Sequence, residues 1–218
     1  YNSWLAKKVG DFIRVKKDLE EARRVFKENL GGKHPIIANF LYPELGNAYV
    51  RLAEYEGARR IFEENLEYSI RYPQVAKFND YGNLFLNIGD FAQALKIFQN
   101  GLNFNEKLAD SSRLPDAEIK LLYLNIAETL AQMGQFEAAF NTNKMAEKAF
   151  LSEEDDRFER CLFGLYENYG IIYSGIARTN DPSKFQLAIQ WYKKALSAAK
   201  DAPNREKAGF QIAISDFR

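Results

Sequence analysis

Apolar residues recur along the chain at three- and four-residue steps, as at Leu45, Tyr49 and Leu52 or at Leu84, Ile88 and Phe91. That is the period of an amphipathic helix. The pattern breaks near Gly89-Asp90 and again near Gly134-Gln135, so the elements read as helix, short turn, helix. The unit then repeats. Val9-Gly10 to Ala22 and Phe26, Leu45-Gly46 to Ala58 and Phe62, and Tyr81-Gly82 to Ala94 and Phe98 align without gaps, their alanines 36 residues apart. An aromatic residue or leucine stands three positions before each alanine, at Leu19, Tyr55 and Phe91. A fourth copy runs through Tyr123, Ala127, Leu130, Gly134, Phe136 and Ala139, with alanine in place of the first glycine, and a fifth through Tyr166, Gly170, Tyr173, Phe185, Ala188 and Tyr192. Gly82 and Ala94 lie twelve apart on the two helices of one unit, where small side chains are expected to let the backbones approach closely.

The order aromatic, Leu-Gly, Tyr, a Gly-Asp-Phe turn, Ala and then Phe resembles the tetratricopeptide repeat. The segments YPELGNAYVRLAEYEGARRIFEENL and FNDYGNLFLNIGDFAQALKIFQNGL carry nearly every slot of that pattern. The resemblance covers about residues 4 to 200 and implies an all-α fold: a right-handed superhelical solenoid of antiparallel helix pairs, with about five units and a C-terminal helix. One repeat domain spanning residues 1–218 is expected. Because the chain begins at Tyr1 and ends at Arg218 within a helical pattern, it is expected to be a fragment of a longer protein.

The spacing is irregular. From each anchor alanine to the next glycine slot there are 24, 24, 33 and 31 residues, so the later connections are lengthened, in the manner of the repeats of bacterial regulatory proteins. Asp110-Ser111-Ser112 and Leu114-Pro115-Asp116 supply a stop and a fresh helix start, with Pro115 suited to a first helical position. Ser152 and Asp155 resemble a capping box, and Thr179 to Ser183 reads as an insertion in the last turn. Asn204 to Arg218, with Phe210, Ile212, Ala213 and Phe217, is expected to form a terminal amphipathic helix, and its apolar face offers a surface for self-association.

Composition then narrows the function. Lys+Arg and Asp+Glu are both 30, so the totals hold no basic footprint for nucleic acid. No run of 18 apolar residues suggests a membrane span, and no leader pattern suggests export, so a cytoplasmic location is expected. Twelve Tyr, 17 Phe and two Trp fall mostly in the repeat slots and read as packing rather than as a ligand platform. No glycine-rich phosphate loop, dinucleotide fingerprint or zinc-protease helix occurs. His34 reads as a surface residue flanking a helix and Cys161 as a small core residue. Glu153-Glu154-Asp155-Asp156 reads as the first turn of a helix, where carboxylates suit the helix dipole. No catalytic residue, metal site or cofactor is expected.

The resemblance implies that the first helix of each pair lines a concave groove that holds peptides or helices. The groove-facing positions are Glu44, Asn47 and Arg51; Asn79, Asp80, Asn83 and Asn87; Asn125, Glu128 and Gln132; and Glu167 and Asn168. Asparagine recurs there, and its amide both donates and accepts, which suits an extended backbone. The same asparagines read equally as caps or bridges between adjacent repeats. The carboxylate-clamp set of the chaperone-binding sub-family is not matched, since Pro43, Leu121 and Asn125 stand in its basic slots. With Asn, Asp and Glu outnumbering Lys and Arg on this face, the expected partner is a protein or peptide of neutral or basic character. The expected function is a non-catalytic interaction module. The alternative is the sensor domain of a larger bacterial signalling or transcription-regulatory protein.

Overall fold

A computed structural model of the chain describes residues 2–31, 34–69, 76–107, 116–151 and 158–199, together with 208–209 and 211–212. Within them the secondary structure is helical: α1 (Asn2–Leu30), α2 (Pro35–Arg51), α3 (Tyr55–Ser69), α4 (Ala76–Ile88), α5 (Phe91–Glu106), α6 (Asp116–Gln132), α7 (Phe136–Leu151), α8 (Phe158–Thr179) and α9 (Phe185–Ala198). The expected starts at Pro115 and at Ser152 with Asp155, the acidic run at Glu153 to Asp156, and most of the terminal helix lie outside the described residues. The chain divides into two compact units within α5, between Ile97 and Phe98.

Helices are joined in pairs by one recurring turn. Gly89 and Gly134 take positive φ, 81° and 75°, and the following amide reaches back five residues: Asp90 N to Phe85 O at 2.9 Å and Gln135 N to Leu130 O at 2.9 Å. A second bond spans three residues, Gly89 N to Leu86 O at 3.1 Å and Gly134 N to Ala131 O at 3.0 Å. This is the Schellman ending, which favours glycine because a Cβ crowds the left-handed region. The α2–α3 turn forms the same pair of bonds around Ala53 at φ 57°, a conformation costing an alanine about 1 kcal/mol. The anchor alanine stands three residues into each next helix, and its amide donates to the carbonyl of Glu54, Asp90 or Gln135, just before the helix begins.

The first sequence copy departs from this scheme. Its turn slot holds Lys17-Asp18, and α1 runs through it as one 29-residue helix. Ala22 is exposed, whereas Ala58, Ala94, Ala139 and Ala188 are fully buried. Phe26 still packs inward, edge-on to Tyr42 with centroids 6.5 Å apart. Four helix pairs follow this single helix.

The glycine slot also has a different role from the expected one. A Cβ on Gly46 would lie 2.5 Å from the Phe62 ring, and one on Gly170 would lie 2.4 Å from the Tyr192 ring. The glycine therefore admits the ring four residues after the anchor alanine. In the fourth copy Ala127 takes the glycine slot and Asn143, not an aromatic, takes the ring slot; both are fully buried. The larger residue on one helix is matched by a smaller one on the other.

In the second unit the aromatics make one continuous cluster. Phe140 meets Tyr169 and Tyr173 edge-on at 5.6 and 6.1 Å, and Trp191 lies 4.5 Å from Tyr169. Cys161 is partly buried against the same cluster. The insertion in the last turn is a short 3-10 segment, Pro182–Lys184, held by Asp181, whose carboxylate accepts from the Ser183 amide at 3.1 Å. Near the C-terminus, Ala208 is buried beside Phe163, Ala195 and Ala199.

Candidate functional site

The first helices of the pairs carry the candidate residues, and each unit presents its own set. In the first unit Glu44, Asn47 and Arg51 are exposed on α2. The Arg51 guanidinium lies 5.0 Å from the centroid of the Phe12 ring of α1, a cation–π contact that anchors a side chain otherwise free to sweep the surface. On α4, Asp80 and Asn83 are half-buried and Asn87 is exposed. Asn87 donates from Nδ2 to the Asn83 carbonyl at 2.8 Å, within its own helix. Asn79 is buried and withdrawn from the surface.

In the second unit the candidates converge. The helical period brings Glu128 and Gln132 of α6 onto one wall of a cleft of about 390 Å³, facing Glu167 on α8. Glu167 is only 7 % exposed yet lines this cleft. Its floor includes Ala131, Ile171, Gly175, Ser174 and Tyr192. Ser174 donates to the Tyr192 hydroxyl at 3.4 Å. Burial holds that hydroxyl above the usual tyrosine range; the Ser174 bond pulls the other way, the Glu167 charge pushes it further up and the Arg178 charge opposes. Arg178 itself stands at the far end of the cleft, beside Thr179. Arg178 is not among the groove positions the sequence suggests, although eleven residues separate it from Glu167, which is three helical turns and the same face.

Asn125 is half-buried on α6, and its carbonyl accepts from the Thr129 hydroxyl at 2.6 Å. Asn168 requires a correction, because it does not face a groove. Its amide is 4 % exposed and donates to the Leu124 carbonyl at 2.9 Å and to Asn143 Oδ1 at 3.2 Å. Asn143 in turn donates to the Leu165 carbonyl at 3.1 Å. Asn168 thus bridges repeats, the other of the two roles the sequence left open, because burying an amide without partners costs several kcal/mol and these two acceptors satisfy its NH2 group.

A second, wider concavity of about 870 Å³ lies between α7 and α8, walled by Phe136, Phe140, Tyr173 and Ile176. His34 is exposed and precedes α2 without a side-chain cap bond. Among the described residues no group of three or more His, Cys, Asp or Glu is placed to hold a metal ion, and no helix is long and apolar enough to cross a membrane.

No protein-family model matches the chain, and comparison with the curated proteins finds no relative. Solved structures do resemble it. BtubC (BKLC) from P. vanneervenii superposes with a TM-score of 0.59 at 15 % identity, over 97 % of this chain and 89 % of that one. YrrB, described as a tetratricopeptide-repeat protein with an unusual peptide-binding site, superposes with a TM-score of 0.50 at 18 % identity, over 94 % of this chain and 87 % of that one. The glycine turns, the buried alanines, the ring slots and these likenesses agree on one conclusion: the chain has a tetratricopeptide-repeat-like fold of successive antiparallel helix pairs.

Proposed function

We propose that this chain is a non-catalytic recognition module that holds an extended peptide or a helix of another protein on the faces of its first helices. The observation that carries this reading is the cleft of the second unit, where Glu128, Gln132 and Glu167 from two different helices meet over a partly apolar floor. Its volume falls within the range of ordinary ligand sites, and its polar groups are amide, carboxylate, hydroxyl and guanidinium, the set that pairs with backbone and charged side chains. The neighbour YrrB, itself described as having a peptide-binding site, supports a peptide as the class of partner. In the first unit, Glu44, Asn47 and Arg51 on α2 with Asp80, Asn83 and Asn87 on α4 are the corresponding contact positions.

The test is selection of peptides from a random display library on the full chain, followed by calorimetry of the recovered peptides. Gln132→Arg, at an exposed position, is expected to weaken binding at least tenfold while leaving the melting temperature unchanged. Asn125→Ala should weaken it less. Recovered peptides that bind both variants as tightly as the parent chain would overturn the assignment of the cleft.

A further inference from the structure

The wider concavity between α7 and α8 carries a chemistry of its own. We propose that it docks a short acidic segment of a partner protein. One large apolar side chain enters the concavity, and the carboxylates that follow it within about four residues meet Lys144 and Lys194.

The anchor end is apolar. The concavity, of about 870 Å³, shares Gly134 and Phe136 alone with the α6–α8 cleft among the described residues. Phe136, Phe140, Tyr173 and Ile176 wall it, and each is half-buried, so each still exposes apolar surface to water. Phe140 and Tyr173 meet edge-on at 6.1 Å, which holds both rings. A partner side chain seated against them removes that surface from water, and buried apolar anchors of this kind carry much of the affinity at interfaces.

The charge lies beside it. Lys144, Lys148 and Lys194 are exposed, and among the described residues none of the three has a carboxylate within ion-pair distance. The Lys144 ammonium stands 4.8 Å from the centre of the Phe140 ring, and that of Lys194 stands 3.9 Å from Trp191. Cation–π contact therefore holds both heads in place before a partner arrives. The two rings are linked through Tyr169, 5.6 Å from Phe140 and 4.5 Å from Trp191. From the Phe140 wall to Lys194 is thus a distance that about four extended residues cover, at roughly 3.3 Å each. Lys148 follows Lys144 by one helical turn, where like charges oppose each other, and an anion between them relieves that. The nearby carboxylates do not serve. Glu147 accepts from the Tyr169 hydroxyl at 2.7 Å, and Glu137 borders the concavity at the start of α7. Glu137 also sets the direction, since an acidic segment runs away from it and toward Lys194.

Two other partners fit less well. Single-stranded nucleic acid stacks its bases on open ring faces, whereas Tyr169 is 2 % exposed and Phe140 and Trp191 pack against it. A basic segment with the same anchor would meet three lysines, and like charges across an interface oppose binding.

The test titrates four probes into the isotope-labelled full chain. The first is a blocked heptapeptide with phenylalanine first and glutamate at positions three to six. The second has glutamine for every glutamate, the third has glycine for the phenylalanine, and the fourth is a ten-residue oligothymidylate. The indole N–H of Trp191 and the amides of Asn141 and Ile176 report the surface. The first peptide is expected to bind about tenfold more tightly than the glutamine peptide and about tenfold more tightly than the glycine peptide. Lys144→Gln and Lys194→Gln should each weaken it about two- to fivefold and leave the glutamine peptide unaffected. Asn141→Glu, which adds a carboxylate at an exposed position on the rim, should remove most of the binding. Circular dichroism melting of these variants, unchanged from the parent, shows that the effect is local. Equal binding of the glutamate and glutamine peptides, or of the phenylalanine and glycine peptides, overturns the proposal. So does tighter binding of the oligothymidylate at the same resonances. Shifts confined to Gln132 and Gly175 place the peptide in the α6–α8 cleft instead and overturn it too, as does the absence of any shift at the three reporters.

Discussion

At Gly170 the second unit tolerates no side chain, because the Tyr192 ring occupies the space a methyl would need. Tyr192 is fully enclosed, and its hydroxyl is held by Ser174, so the ring cannot swing aside without opening the floor of the cleft. Gly170→Ala is therefore expected to destabilise the protein by about 1–3 kcal/mol through overpacking, read as a lowered urea midpoint. Lys77 shows the opposite kind of strain. Its side chain is 2 % exposed, and among the described residues its one hydrogen bond is to the Asn65 carbonyl at 3.3 Å. The neighbouring Asn65 amide is buried with neither of its polar atoms bonded. Burial pushes the Lys77 ammonium down to about 8. Below that pH both the folded and unfolded chains carry the proton, and the folded state bears the whole penalty, about 3 kcal/mol for a shift of this size. From about pH 8 toward the unfolded value only the unfolded chain stays protonated, so stability rises with pH. Lys77→Met should melt higher than the parent at pH 7, with the gap narrowed but not closed by pH 9.5. Tyr49 and Tyr81, whose hydroxyls are raised to about 12 chiefly by burial, do not confuse that window, because their contribution is lost only as pH rises above the ordinary tyrosine range.

At the scale of elements, α1 has no partner of its own in a pair, and it is attached through polar contacts as well as through Phe26. Glu64 on α3 is the centre of that attachment. It binds Arg23 and, at 2.5 Å, Lys27 from α1, and accepts from the Tyr42 hydroxyl of α2 at 2.5 Å. Burial opposes its charge, yet the bonds from Lys27, Tyr42 and Arg23 outweigh burial and hold the carboxyl below its ordinary range. A lowered carboxyl contributes stability that is complete above its unfolded pKa and is lost as pH falls through the folded one. Glu64→Gln is expected to cost about 1–2 kcal/mol at pH 7 and progressively less as falling pH protonates the folded-state carboxyl, measured by denaturant titration across the acid range. Lys16 adds an ion pair to Glu54 at 2.7 Å, but Glu54 is exposed, so this contact contributes well under 1 kcal/mol. The continuity of α1 was not legible beforehand. Leu19, Ala22 and Phe26 imitate the apolar slots of a second helix, and the only sign against a turn is Lys17 where the later copies have Ala53, Gly89 or Gly134. Ala53 shows that glycine is not obligatory there, so the slot residue alone does not decide.

For the molecule as a whole, the repeat was readable because its marks are extreme in size. Glycine, alanine and aromatic residues at fixed intervals leave few other ways to pack two helices, and the four pairs follow from them. The site was readable only in part. Glu128, Gln132 and Glu167 meet as the helical period requires, but Arg178 needed the period carried one stretch further. Asn168 was misread because its acceptor is a backbone carbonyl 44 residues earlier, and a main-chain oxygen leaves no trace in the pattern of side chains.

The amide of Asn168 also bears on how the second unit comes apart. A stack of helix pairs held only by neighbouring surfaces can unravel from its end, one pair at a time. Here a single side chain on α8 is bonded to α6 and α7 together. Lifting the last pair away would break both of these hydrogen bonds as well as the packing, each worth about 0.5–1.5 kcal/mol net. Fraying at the end is thereby discouraged, and the last two pairs are expected to open together or not at all. The cleft bordered by these pairs is then expected to be lost in one step with them.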